Sequence, residues 1–463
     1  MNILLISTYE LGRQPFGLAS PAAWLRARGH EVASLDLTRE ALDERAIFSA
    51  DLIAFYVPMH TATRLASALI DRVRGRNPRA HLCFYGLYAP VNEEYLRGLG
   101  VGTILGGEFE EGLASLADRL QSGEQTRNGG SHAAQAQTEP VISVARQKFL
   151  VPDRAGMPEL AKYASVVMPD GEKRVAGSTE ATRGCKHLCR HCPIVPVYNG
   201  AFRVVEREVV LEDIRRQVAA GARHITFGDP DFFNGPAHSH SIVEAMHREF
   251  PGLSYDVTIK IEHLRKHDAH LTTLRDTGCL FVTSAVESVD DAILEKFDKG
   301  HTRADFLAVV ARFRELGMTL LPTFVPFTPW TTLAGYLDLL DVLAREELCE
   351  KVSPIQLAIR LLIPSGSRLL ELADVRASVE PFDSAALVYP WKHEDPRVDA
   401  LARSVSGLVQ RGDSLKLSRT EIFSHIWRAA EKEAGSTEPR KMIPPARQSA
   451  PVPFLDEPWY CCA

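Results

Sequence analysis

No stretch of this 463-residue chain is apolar for long enough to cross a bilayer. Nor does it carry a basic surplus: with a formal charge of -6 it offers no footprint for a nucleic-acid backbone. The opening MNILLISTYE is apolar for only a few residues before Tyr9 and Glu10, so a first β-strand is expected there rather than a leader. One C-x2-C pair occurs with no second pair near it, which argues against a closed four-ligand zinc site. What remains is a composition with 45% apolar and 24% charged residues, that of a soluble small-molecule enzyme with two or three folded domains. Eight cysteines, three of them clustered, point to a reducing cytoplasm.

The segment from Thr182 to Pro193 reads TRGCKHLCRHCP. Cys185, Cys189 and Cys192 follow a C-x3-C-x2-C spacing, and so short a loop closes around one small metal centre at little entropic cost. Lys186, His187, Arg190 and His191 separate the thiols, which disfavours a merely buried apolar turn. Three thiolates on a [4Fe-4S] cube leave one iron without a protein ligand.

Apolar runs and amphipathic stretches alternate from Met1 to about residue 120. That order predicts a parallel α/β sheet with helices on both faces and ligands at the carboxyl ends of its strands. Residues 121–140 show no apolar periodicity and read as a linker. From 141 to 370 the pattern is again strand then helix, with strands expected in SVVMPD, AGSTEATRG, HITFGDPDF, SYDVTIKI, LFVTSAVES, TLLPTFVPF and IQLAIRLL. Repeated βα units imply a partial (β/α) barrel with its chemistry at the strand carboxyl ends. Residues 371–440 read as a small helical extension with Trp391, Phe423 and Trp427 as core, in which His393 and His425 are structural. A Pro-rich tail, 441–463, carries the vicinal pair Cys461 and Cys462, a chelator for a soft ion.

The cysteine spacing resembles that of the radical S-adenosylmethionine (SAM) superfamily, whose members bind SAM at the open iron and cleave it reductively. His191 stands where that superfamily often has an aromatic residue. The resemblance places Phe227, Gly228, Asp229 and Asp231 at the motif that meets the SAM ammonium, and Lys260 or Arg360 at its carboxylate. Glu287 falls near the ribose or ammonium, Thr323 on a strand that approaches SAM, and Gln356 to Arg360 beside the adenine. Pro364 to Ser367 is similar to the turn that closes the barrel.

Residues 1–120 resemble the cobalamin-binding domain of B12-type radical SAM enzymes. Gly107, Glu108 and Glu110 match a G-E-x-E turn of that family, and the absence of D-x-H-x-x-G leaves cobalt no lower axial histidine. The ending resembles the radical SAM proteins with CUAEP/CCAEP tails, neighbours of the radical SAM enzyme of the arsinothricin pathway. These likenesses imply a cytoplasmic transferase with a [4Fe-4S] cluster, SAM, a cobalamin-compatible domain and a low-potential donor such as flavodoxin or ferredoxin. The leading expectation is transfer of a 3-amino-3-carboxypropyl group to trivalent arsenic held by Cys461 and Cys462. A cobalamin-dependent radical methyltransferase and a non-catalytic iron-sulfur or arsenic-binding protein are the alternatives.

Overall fold

Runs such as NILLIS and LIAFY are hydrophobic at nearly every position because helices cover both faces of the sheet they build. The structure is a computed structural model that describes residues 1–123, 137–435 and 452–456. Its first sheet contains β1 (Asn2–Ser7), β2 (Glu31–Asp36), β3 (Leu52–Tyr56), β4 (His81–Tyr85), β5 (Thr103–Gly107) and β6 (Ile142–Ser143). All six are parallel, in the order β2-β1-β3-β4-β5-β6. The strand order reverses between β1 and β3, and the carboxyl ends of strands at such a switch point open a crevice where sheets of this kind bind ligands.

The second sheet holds β7 (Ser165–Val167), β8 (Lys173–Thr179), β11 (His224–Phe227), β12 (Ser254–Thr258), β13 (Cys279–Glu287) and β14 (Thr319–Phe324). A seventh strand, β15 (Phe454–Leu455), adds antiparallel to β7 at the edge. Between β8 and β11 the chain makes a small hairpin, β9 (Thr182–Gly184) with β10 (Phe202–Val204). The order is β14-β13-β12-β11-β8-β7-β15, with β8 and β11–β14 parallel. This is the expected α/β class, a parallel sheet followed by a partial barrel.

The last expected strand, IQLAIRLL, does not form. A 3-10 turn spans Pro354–Leu357, and only an isolated bridge between Phe327 and Arg360 joins this segment to its neighbour. Pro354 lacks the donor a ladder needs, and buried Gln356 accepts the Phe324 N–H at 3.1 Å through its Oε1, sealing the edge of β14 with a side chain. The barrel therefore stays open on that side.

The carboxyl-terminal helices Pro396–Ser414 and Arg419–Glu433 are no separate appendage. Phe423 and Trp427 join the main barrel core, whereas Trp391 packs in a second cluster with Ile293, Phe297 and Ile363. No helix among the described residues is long and apolar enough to cross a membrane.

Arg183 locks the first sheet to the barrel. Its guanidinium lies 2.6 Å from Glu110, 3.4 Å from Glu108 and 2.7 Å from Glu180, and it faces the rings of Phe16, Phe109 and Phe149. Beside it, Leu11, Arg13, Tyr56, Phe109 and Gly228 line an interface cavity of about 220 Å³. Glu10 lines it too, and burial, with Glu180 nearby, pushes its carboxyl up to about 8. A raised acid favours the protonated native state, so this contribution is full below pH 4.5 and fades as pH climbs through 8. Glu10→Gln is accordingly expected to gain about 1–3 kcal/mol over the parent at pH 8.5 and little at pH 4, read by urea unfolding at both pH values.

Candidate active site

Gly184 closes β9 at φ +73°, and a Cβ there would come within 2.4 Å of the Tyr198 ring and 2.6 Å of the Ala201 carbonyl. Only glycine makes that turn, which starts the loop carrying the three cysteines. The polar residues between them anchor the loop. Asn234 accepts the Lys186 N–H at 3.3 Å and donates to the Gly184 carbonyl at 3.1 Å. The Arg190 side chain donates to the carbonyls of Glu295 and Lys296, both at 3.1 Å, while its N–H meets the Phe297 carbonyl at 2.9 Å.

Cys185, Cys189 and Cys192 are free thiols, Cys189 buried and the others half-buried. Burial pushes the Cys185 thiol up to about 11 and the Cys192 thiol up to about 12. Neither ionises alone near neutrality, but a bound metal replaces the proton outright. The fully enclosed Lys299 supplies positive charge next to Cys189 and Cys192. A single loop of three thiols over a buried cation fits an anionic iron-sulfur centre.

Beneath the loop, Glu287 follows an irregularity in the β13–β14 register and adopts φ +69°, a left-handed conformation that re-aims its carboxylate. It lies 3.3 Å from Lys299 Nζ and 3.1 Å from His191 Nε2, and the His191 ring packs 4.5 Å from Phe297. His191, the ring before the third cysteine, thus ties the loop to β13. Burial opposes ionisation of Glu287, yet Lys299 and His191 hold it down to about 2. A depressed carboxyl contributes stability above its unfolded value, and that contribution disappears as pH falls from 4.5 through 2. Acid titration of the parent against Glu287→Gln should show about 2–3 kcal/mol of this kind, lost on the acid side and constant above pH 5.

The other residues singled out in the sequence divide. Phe227 is buried against Phe232 and Tyr255, and the Gly228 N–H donates to the Thr179 carbonyl at 2.8 Å. Asp229 accepts the N–H groups of Ala181 and Thr182 at 2.9 and 2.6 Å, so its carboxylate holds the start of the β9 hairpin rather than facing open space. Asp231 caps the N–H of Phe233 and turns its other oxygen toward His263. Lys260 pairs with Glu262 at 3.1 Å. Arg360 is already engaged by the protein: it donates to Asp399 at 2.7 Å and to the Trp391 carbonyl at 2.8 Å, and stacks 3.5 Å from the Trp391 ring. Thr323 lines a cavity of about 510 Å³ with Asp256, Thr258, Thr283 and Gln356, bordered also by Arg13 and by Phe454 to Asp456 of the tail strand. That volume falls in the range of small-molecule sites, roughly 300–1,000 Å³. Cys461 and Cys462 lie outside the described residues.

Residues 179–340 match the radical SAM superfamily, and the cysteine loop lies inside the match. This segment is a radical SAM domain. The chain is 24% identical over 335 residues to hopanoid C-3 methylase of Methylococcus capsulatus, covering 71% of this chain and 64% of that protein. It is 24% identical over 225 residues to a tRNA-2-methylthio-N(6)-dimethylallyladenosine synthase of Desulfosudis oleivorans, covering 47% of this chain and 48% of the synthase. The chain thus spans less than two thirds of the length of these relatives. Among solved structures, the cobalamin-dependent SAM radical enzyme OxsB with aqua-cobalamin aligns with a TM-score of 0.72 at 14% identity, over 93% of this chain and 71% of OxsB. TsrM from Kitasatospora setae, with cobalamin and a [4Fe-4S] cluster, gives 0.62 at 14% identity, over 94% of this chain and 99% of TsrM. These two likenesses show a similar fold over nearly the whole chain.

Lys299, His301 and Asp256 were not singled out in the sequence: Lys299 pairs with Glu287, buried His301 lies near Lys299 and Lys260, and Asp256 lines the larger cavity. The D-K-G-H run from Asp298 to His301, with left-handed Asp298 and Gly300, is the signal that could have marked the first two.

Proposed function

We propose that this chain is a radical SAM transferase that moves a SAM-derived carbon group onto a small substrate in the 510 Å³ barrel cavity. The observation that carries the reading is the trio of free thiols on one anchored loop above the buried Lys299–Glu287–His191 group. Cys185, Cys189 and Cys192 would hold a [4Fe-4S] cluster, which supplies the electron, drawn from a flavodoxin or ferredoxin, that cleaves the SAM sulfonium. Lys299 offsets the charge of the ligated thiolates, and Lys260 offers a cation at the same end of the barrel. Thr258, Thr283 and Thr323 offer hydroxyls to a polar substrate inside.

Methyl transfer is favoured by the relatives, a methylase and a methylthio-group synthase, and by TsrM, a methyltransferase of similar fold. Cobalamin is supported as a further cofactor by OxsB and TsrM, whose solved structures hold it. The junction cavity beside Arg183, about 220 Å³, is smaller than most small-molecule sites.

A second reading, transfer of an aminocarboxypropyl group to trivalent arsenic on Cys461 and Cys462, is supported by the tail strand. Phe454 to Asp456 border the barrel cavity, and Cys461 is only five residues beyond Asp456, a reach of roughly 18 Å at most. The test is anaerobic reconstitution with SAM and reductant, with and without arsenite or hydroxocobalamin, followed by mass analysis of the nucleosides. 5′-Deoxyadenosine or S-adenosylhomocysteine supports methyl transfer, and methylthioadenosine supports aminocarboxypropyl transfer. Absence of every reductant-dependent SAM fragment sinks both.

A further inference from the structure

His187, on the cysteine loop, meets Asp231 from the loop after β11 and His263 from the short helix Ile261–Lys266 that follows β12. One donor atom from each lies within 4.8 Å of the other two. His187 Nε2 is 3.1 Å from His263 Nε2 and 3.7 Å from Asp231 Oδ2, and Asp231 Oδ2 is 2.6 Å from His263 Nδ1. Asp231 and His263 are each 1% exposed, yet Asp231 Oδ2 and His263 Nδ1 have no aligned hydrogen-bond partner. Leaving a buried carboxylate oxygen and a buried imidazole nitrogen unsatisfied is costly. The contrast with His224 is instructive: equally buried, it is bonded to Ser254 at 2.9 Å and to Asp256 at 2.8 Å.

We propose that His187, His263 and Asp231 bind one divalent transition-metal ion, distinct from the centre held by the cysteines. Two imidazoles and a carboxylate suit zinc or ferrous iron, and three protein ligands leave at least one position open. Two ligand atoms about 2.1 Å from a common ion lie roughly 3 Å apart, near the 2.6 Å between His263 Nδ1 and Asp231 Oδ2 and the 3.7 Å from that oxygen to His187 Nε2. Glu262 Oε2, 3.5 Å from His187 Nδ1, supplies the outer carboxylate that orients a ligating imidazole.

Binding is tested on the full chain, prepared without oxygen and with its cluster assembled so that the thiols are occupied. Zinc is titrated against a chromophoric chelator, and Co²⁺ is added separately to read its ligand-field absorption. One equivalent beyond the cluster iron is expected in the parent. Asp231→Asn, His263→Gln and His187→Gln should each weaken it on the order of 10²-fold or more, and Glu262→Gln by roughly 10–100-fold. His187→Gln guards against misfolding, since that side chain is on the loop and partly accessible; circular dichroism checks each variant. No extra equivalent in the parent, or one that survives both histidine substitutions, overturns the site. The result stands apart from SAM turnover, because it is read from metal alone.

Discussion

Cys189→Ala is expected to abolish reductive SAM cleavage, with a loss of roughly 10³-fold or more, and to strip the protein of the broad iron-sulfur absorption. The physical reason is that Cys189 is the buried member of the three thiols, flanked by Cys185 and Cys192 and facing Lys299. With two ligands left, the cube has no closed set of protein donors, while Lys299 keeps its ion pair with Glu287 at 3.3 Å. The fold should therefore survive: the loop is also held by Asn234 and Arg190, so urea unfolding of the apoprotein should change little. A Cys189→Ala protein that still gives full SAM-derived nucleoside would remove the basis for the proposed chemistry.

Arg183→Met is expected to cost about 3–5 kcal/mol of stability, the penalty for leaving buried carboxylates without their cation. Glu108 and Glu110 are 1% and 0% exposed, and burial, partly offset by Arg183, already pushes Glu108 up to about 7. Without the guanidinium, these groups must take up protons or draw water into the junction between the first sheet and the barrel. The loss should be larger at pH 8 than at pH 5, because protonation relieves the repulsion at the lower pH. Urea unfolding at the two pH values measures it. Equal stability of parent and variant at pH 8 would show that the junction does not depend on this charge group.

Much of this was legible along the chain. The cysteine spacing and the helix-and-strand alternation are local signals, because thiol spacing and apolar periodicity need only neighbours in sequence. The Gly-Glu-Phe-Glu turn was visible as a motif, but its partner Arg183 was not, since the two lie 73 and 75 residues apart. Asp229 and Arg360 show the limit from the other side. As isolated strand-end charges they pointed toward SAM, yet one is claimed by the backbone of Ala181 and Thr182 and the other by Asp399 and Trp391. The IQLAIRLL strand failed for a related reason: its apolar pattern was right for burial, but Pro354 and the Gln356 carboxamide turned it into the cap of another strand's edge.

The order of residues by itself determined that three thiols share one short loop and that parallel α/β units surround it, because both follow from spacing and periodicity. Only the tertiary structure decided which charges face the loop. Lys299, His191 and Glu287, and likewise His187, Asp231 and His263, come from the cysteine loop, strand ends and helices far apart in sequence that meet only in the folded barrel. An ionisable side chain takes its role from the charges and hydrogen bonds that folding brings within a few ångströms, and those neighbours are distant in sequence.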